Sequence, residues 1–295
     1  MVASHCIDIS DTELTAMDTR IADNPQEHRR GYPYAPRTAV QLLRDRQEKI
    51  LRGRKLLRCA DPRASILAHM ERYGYTLVGS KLIYQRSKPD SRFDWLYVNY
   101  SWNTKCALWH NAIFDNFGYI PTPCHECFKV VVKPRTVKEL FILYELSKSF
   151  QTPNKCGAER REFVSGPYSQ FFYVSGLEEG LRYYREVREA VNDMLSPDVP
   201  VALKCGCTRY ELEMGPSDQW QVTAEQVAFE SFLKDTISQD IMSWEMEPYA
   251  QPQELIDAIQ KAWLHWAYHI GDITYLEFTG GRPLFPKGAT YHDKA

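Results

Sequence analysis

The sequence has no hydrophobic run long enough to cross a membrane and no export signal at its start. Its longest apolar stretches, such as FILY at 141–144, are far shorter than the roughly 18 to 20 residues that span a bilayer. The first residues, MVASHCIDISDTEL, contain neither a basic n-region nor an apolar h-region. We therefore expect a soluble, cytoplasmic protein without a membrane partner.

Several motifs of common enzyme classes are also missing. No G-x-S-x-G, G-x-x-x-x-G-K or G-x-G-x-x-G motif occurs, which argues against a nucleophile elbow and against the usual glycine-rich phosphate loops. We find no internal repeat and no low-complexity segment. These absences leave open whether the chain is an enzyme, and they identify no small-molecule substrate.

Cysteine is present in a number that needs an explanation. The chain has 295 residues, of which 44% are hydrophobic and 13% aromatic, so it can form a large core without covalent crosslinks. Its eight cysteines are unlike a disulfide framework, because thiols of a protein that is not exported stay reduced. Core packing, metal binding or catalysis are the remaining roles, and the spacing of the cysteines has to discriminate among them.

The charges are distributed unevenly, although the formal net charge is only -2. Residues 20–63 hold 12 Lys or Arg residues against five Asp or Glu residues, whereas residues 211–257 hold 11 acidic residues and one lysine. Either the two segments pair within the fold, or the basic segment faces outward and binds nucleic-acid phosphates. The candidate nucleic-acid contacts are Arg44, Lys49, Arg52, Arg54, Lys55 and Arg58.

The chain divides into four regions. Residues 1–35 are polar and rich in turn residues, which is typical of an extended arm. Residues 36–123 begin with a basic helix and continue with a small β segment: a hairpin of 75–78 and 81–85 about Gly79-Ser80, then a strand over 94–102. Residues 214–295 are acidic and mainly helical, with helices over 223–243 and 253–270.

The central region, residues 124–213, carries the pattern β-α-β-β-α-β. The strands are predicted at 128–133, 156–164, 170–175 and 201–213. Thr136 and Glu139 have the spacing of a capping box before the first helix, and an apolar stripe from Leu177 to Met194 marks the second. We therefore predict an α+β fold with a central ferredoxin-like domain and helical extensions at both ends.

Two cysteine motifs lie at the ends of this predicted unit. Cys124 and Cys127 form a Cys-x-x-Cys just before the first strand, and Cys205 and Cys207 form a Cys-x-Cys in the last one. The first and last strands of a ferredoxin-like sheet are antiparallel neighbours, so the two motifs should meet. Four thiolates suit a structural zinc site. Cys205 and Cys207 would lie about 7 Å apart in a flat strand, so Gly206 has to introduce a bulge or a strand end.

Other ligand sets remain open. The same four thiolates could hold an iron-sulfur cluster, or Cys124 and Cys127 could act as a redox dithiol. Cys156 is an additional candidate ligand, expected at the same end of the sheet but about two strand spacings, roughly 10 Å, away. His125 lies between the first two cysteines and is another possible ligand, although a second-shell or solvated role is more usual for such a residue.

Two further groups of residues are ambiguous. Glu159, Arg160, Arg161 and Glu162 follow Cys156 and could line a polar site with it, although charges on an edge strand also prevent aggregation. Phe171 and Tyr173 lie on the predicted third strand, where RNA-recognition sheets place stacking aromatics. We expect them to be covered by another part of the chain.

These patterns support two functional hypotheses. In the first, the protein is a zinc-binding module or scaffold that engages nucleic acid or a protein partner. In the second, it is an enzyme or electron carrier that uses an iron-sulfur cluster or a dithiol. The cysteine spacing favours the first hypothesis and identifies no reaction.

Overall fold

The computed structural model of the chain describes residues 75–78, 81–84, 95–99, 114, 117–161, 164–236, 250–285, 287–288 and 291, with isolated helical residues between 41 and 71. Within these ranges, no helix is both long enough and apolar enough to cross a membrane.

The predicted hairpin is confirmed. Strands β1 (Tyr75–Val78) and β2 (Lys81–Tyr84) pair in antiparallel fashion and form a separate two-stranded sheet. The strand predicted after the hairpin is β3 (Trp95–Val98). It does not extend the hairpin but pairs in antiparallel fashion with Asn154–Gly157, at the edge of the central sheet. The small β segment is therefore divided between two sheets.

The central sheet has five antiparallel strands. Its other members are β4 (Cys127–Val132), β5 (Asn154–Ala158), β6 (Tyr168–Ser175) and β7 (Val201–Cys205). The spatial order is β3-β5-β6-β4-β7. Because β4 and β5 are both antiparallel to β6, they run parallel to each other and need a crossover connection. The α+β class predicted from the sequence is confirmed.

Six α-helices complete the described part of the chain. Helix α1 (Thr122–His125) precedes β4, α2 (Val137–Ser147) connects β4 to β5, and α3 (Leu177–Met194) connects β6 to β7. Three more follow the sheet: α4 (Thr208–Met214), α5 (Ala224–Thr236) and α6 (Gln253–Ile270). The side chain of Thr136 accepts a hydrogen bond from the Glu139 amide, as its spacing predicts, whereas the Glu139 carboxylate bonds to Arg135.

Two strands differ from their predicted bounds in ways that affect the cysteines. The last strand was predicted to continue to residue 213, but β7 ends at Cys205 because Gly206 has a φ of +62° and turns the chain into α4. The second strand was predicted over 156–164, but β5 starts at Asn154 and ends at Ala158. Both differences matter for the cysteines, because they change which end and which face of the sheet each thiol occupies.

Helices cover one face of the central sheet. Val130, Phe172 and Val187 belong to the core between the sheet and α3, and all three are fully buried. A second core joins the sheet to α2 and α6 through residues such as Leu140 and Trp263. The C-terminal helix α6 is thus part of the same packed structure as the central sheet.

One carboxylate connects the C-terminal region to the sheet. Asp272 follows α6, and its Oδ2 accepts hydrogen bonds from the Val137 amide at 2.5 Å and from the Tyr168 hydroxyl at 2.8 Å. The first donor is an otherwise unpaired amide at the N-terminus of α2, and the second lies on β6. Burial raises the pKa of Tyr168, and the Asp272 carboxylate raises it further by a smaller amount.

We expect Asp272→Ala to lower the free energy of unfolding by about 2 to 4 kcal/mol, because it leaves two donors inside the protein without an acceptor. Urea unfolding followed by circular dichroism measures the change. Asp257→Ala is the control, since Asp257 is exposed and bonds only to Gln253 among the described residues. Equal stabilities of the two variants would contradict this role of Asp272.

Candidate functional site

The two cysteine motifs are neighbours in the structure. Cys124 lies in α1, Cys127 begins β4, Cys205 ends β7 and Cys207 is the residue before α4. The Gly206 amide donates to the Cys127 carbonyl at 2.7 Å, and the Cys205 thiol donates to the His125 carbonyl at 3.3 Å. The predicted adjacency of the first and last strands of the central unit is confirmed, because β4 pairs directly with β7.

Gly206 separates Cys205 from Cys207 and allows no side chain. Its φ of +62° is unfavourable for other residues, and a Cβ atom would lie only 2.6 Å from the Trp220 ring. We expected this glycine to bulge or end the strand, and it ends it. A residue without a side chain is required here because the Trp220 ring packs closely against it. Nothing in the local sequence indicates this contact.

Three aromatic side chains, Phe114, Tyr210 and Trp220, form a wall around the cysteines. The ring centroids of Phe114 and Tyr210 are 4.4 Å apart, and Cys124 and Cys207 pack against this group. The Tyr210 hydroxyl lies 3.4 Å from the Cys124 sulfur, and the Trp220 indole donates to the Gly215 carbonyl. Tyr210 and Trp220 belong to no recognisable motif, so the sequence does not mark them as part of this site.

Burial raises the pKa of two of the four thiols. Burial raises the pKa of Cys205 to about 11, with smaller contributions from Cys127 and Glu126. Burial also raises the pKa of Cys127, and Lys129 partly offsets this effect. Because the thiolate is the reactive form, these two residues are unlike the activated cysteines of dithiol oxidoreductases.

The additional candidate ligands lie in different places. His125 stays beside the cysteines, where its Nε2 atom is buried without a hydrogen-bond partner in the described part of the chain. Its ring meets that of Trp220 edge-on. Cys156 is fully buried in the core of α2 and α6, and burial raises its pKa well above the usual value.

The expected position of Cys156 at the same end of the sheet as Cys124 and Cys127 is wrong. Cys156 pairs with Gln170, and Gln170 also pairs with Val132 at the far end of β4. Cys156 therefore lies level with Val132, which is five residues beyond Cys127, or roughly 17 Å along β4. The start of β5 is displaced along the sheet, and the residue pattern alone does not specify this register.

The four neighbouring cysteines are not a preformed metal cage. Among the described residues, no three His, Cys, Asp or Glu side chains are arranged to hold a metal ion. Strand alternation explains this: Cys205 pairs with Phe128 on the helix-covered face, so Cys127, one residue earlier, lies on the opposite face. Rotation about a Cα–Cβ bond leaves each Cβ atom on its own face, so ligation by all four thiols requires the ends of β4 and β7 to shift.

One of the predicted nucleic-acid contacts is used inside the fold. Lys49 is only 6% exposed and forms a 2.8 Å ion pair with Glu213. This corrects the expectation that Lys49 contacts nucleic acid, and it supports pairing between the basic and acidic segments at this position. Arg44 is exposed. The remaining candidates lie outside the described residues: Arg52, Arg54, Lys55 and Arg58.

Comparisons with known proteins do not identify the chain. No family model, curated protein or solved structure matches it. Its function therefore has to be inferred from the chemistry of its own residues.

We expect Gly206→Ala to destabilise the protein by about 1 to 3 kcal/mol more than Gly271→Ala, because only the first substitution forces a Cβ atom against a ring. Gly271 is a matched control, since its φ of +79° imposes a similar backbone penalty and nothing lies within 4 Å of its Cβ position. Chemical denaturation of both variants gives the difference. Equal losses would show that Trp220 does not constrain Gly206.

Proposed function

We propose that this protein binds zinc through Cys124, Cys127, Cys205 and Cys207, and that the ion is a structural centre of a binding module. The observation that carries this proposal is the convergence of the two motifs, where the Gly206 amide bonds to Cys127 and the Cys205 thiol reaches the His125 carbonyl. A zinc ion would connect α1 and the start of β4 to the end of β7 and the start of α4.

The surroundings of the cysteines support a closed structural site. The aromatic wall packs against Cys124 and Cys207 and limits access of water to them. The buried Nε2 atom of His125 has no hydrogen-bond partner among the described residues, so it is a further potential metal ligand beside the cysteines. Cys127 begins β4 and Cys205 ends β7, so the shift that brings these two thiols to one ion is confined to the ends of the two strands.

Zinc is a better fit than an iron-sulfur cluster. Tyr210 approaches the Cys124 sulfur to 3.4 Å, and Trp220 lies directly over Gly206. A single ion needs less room between these groups than a cluster of iron and sulfide. The iron-sulfur or dithiol redox protein remains the alternative, and four cysteines satisfy either metal centre.

We infer that the central unit has the ferredoxin-like arrangement, with β3 added at one edge. Two features support this: the β-α-β-β-α-β order from β4 to β7, and the spatial order β5-β6-β4-β7 of these strands. The crossover helices α2 and α3 then lie on one face of the sheet.

The proposed metal centre itself carries out no reaction, and the charge of the N-terminal segment is the feature that favours a binding role. Zinc with four protein ligands has no open coordination position for a substrate, so it stabilises a fold and supplies no reaction. The partner is nucleic acid or another protein. The basic segment at 20–63, in which Arg44 is exposed, provides the charge that nucleic acid requires.

Metal analysis of the purified protein tests the proposed centre. We expect about one zinc ion per chain in the wild type, and a loss of most of it in Cys124→Ser and in Cys207→Ser. Cys156→Ser is the matched control, because this cysteine lies in the core at the other end of β4. Full metal content in both test variants would disprove the site. Broad visible absorbance after anaerobic purification would identify an iron-sulfur cluster instead.

Binding of single-stranded and duplex oligonucleotides tests the proposed partner. We expect affinity to fall with salt concentration and to fall further in the double variant Arg52→Glu with Lys55→Glu. Arg185→Glu is the control, since Arg185 is an exposed basic residue of α3 outside the basic segment. Binding that is absent, or that does not depend on salt, excludes nucleic acid and leaves a protein partner.

A further inference from the structure

Four cationic side chains surround one aromatic ring on the sheet face opposite α2 and α3. Their charged groups lie between 5.4 and 5.9 Å from the centroid of Phe171 on β6. We call this group the basic cluster, and its members are Lys129, Lys133, Lys155 and Arg161. They come from β4, β5 and the residues that follow these two strands, so the sheet register brings them together.

Only one carboxylate balances these charges in the described part of the chain. The Glu159 side chain is fully buried, and Arg161 forms a 2.6 Å ion pair with it. The Ser169 hydroxyl donates to the same carboxylate at 3.0 Å and accepts from Lys133 at 2.8 Å. Glu159 is thus already shared between Arg161 and Ser169.

Lys129 and Lys155 have no such acceptor. Among the described residues neither ammonium group makes a hydrogen bond or an ion pair; Lys155 instead lies 4.7 Å from the Trp95 ring centroid. Lys129 is only 7% exposed. Lys204 on neighbouring β7 forms its ion pair with Glu211. The described part of the cluster therefore carries more positive than negative charge: Lys129 is buried, Lys133 and Lys155 are half-buried, and Arg161 is exposed.

The excess of charge is costly in the absence of a ligand. Burial lowers the pKa of Lys155 to about 8, with further lowering by Arg161 and Lys129. Burial likewise lowers the pKa of Lys133 to about 8, and Glu159 partly offsets the effect. A protein that retains several partly desolvated cations side by side is expected to use them, because apolar residues would be more stable there.

The edge-strand explanation for Glu159 and Arg161 does not apply. Charges on an edge strand protect a sheet from aggregation. However, β3 pairs with β5 along Asn154–Gly157, so β5, which Glu159 and Arg161 follow, is an inner strand. Phe171 does not stack on a ligand either, since it is 4% exposed and cations occupy its surroundings. Its role is to hold the lysine stems and the guanidinium group in place.

We propose that the basic cluster binds the phosphate group of a ligand. A phosphate has several acceptor oxygens and up to two negative charges, which matches ammonium groups that converge from two strands. Trp95 is half-buried, and Lys155 and Arg161 both lie over its ring, so it holds these two cations as Phe171 does. The cluster adjoins the proposed zinc centre, since Lys129 follows Cys127 by two residues on β4.

Titration of the zinc-loaded full chain with inorganic phosphate, in a phosphate-free buffer of constant ionic strength, tests the proposal. We expect saturable binding by calorimetry that is about tenfold weaker in Lys155→Met and in Lys133→Met. Lys148→Met should bind like the wild type, because Lys148 is exposed and pairs with Glu145 on α2. Two variants are used so that a folding defect in one, detected by circular dichroism, leaves the other informative.

Three results would overturn the proposal: no saturable binding, equal affinity in the wild type and in both folded test variants, or the same heat on titration with chloride. A parallel titration with a short single-stranded oligonucleotide identifies the source of the phosphate. Loss of oligonucleotide binding in Lys155→Met, but not in Arg52→Glu with Lys55→Glu, assigns the nucleic-acid backbone to the basic cluster. Binding of inorganic phosphate without binding of the oligonucleotide assigns a small phosphorylated ligand.

Discussion

The pairing of β4 with β6 on one side and β7 on the other is the interaction on which the other features depend. It places Cys127 next to the end of β7, where Cys205 and Gly206 lie. It also presents Lys129 on one face and Val130 on the other, so that a single strand contributes to the basic cluster and to the apolar core. A shift of one residue in this register would exchange the two faces and remove both sites.

The strict alternation of strand residues explains why the described face opposite the helices differs so much from the helical face. Val130, Val132, Phe172 and Val174 follow the period of two and meet α2 and α3. The intervening positions combine buried apolar residues, Val131 and Phe171, with cations such as Lys129 and Lys155. The same alternation separates the Cys127 and Cys205 side chains, although their strands are direct neighbours.

Local signals in the sequence were sufficient for the elements that form through local contacts. The β-branched run before Pro134, the Thr136 cap and the apolar stripe of α3 predicted their strand and helices correctly. The order of these elements then predicted that the two cysteine motifs would meet.

Features that depend on distant contacts were not predictable in the same way. The close approach of Trp220 to Gly206, the addition of β3 to the central sheet and the register that moves Cys156 away from the other cysteines all involve residues far apart in sequence. Residue patterns carry no information about such pairings. The basic cluster was missed for this reason, since its cations come from separate segments that look like ordinary surface charge.

The ion pair between Lys49 and Glu213 has a consequence for synthesis of the chain. Its two residues are 164 positions apart, and both side chains are almost completely buried. At typical translation rates of about 5 to 20 residues per second, Lys49 is made on the order of ten to thirty seconds before its partner exists. During that interval the lysine has to remain hydrated, so the segment around it cannot reach its final packing. The ion pair therefore forms late in folding, when the newly synthesised Glu213 reaches Lys49, which was synthesised much earlier.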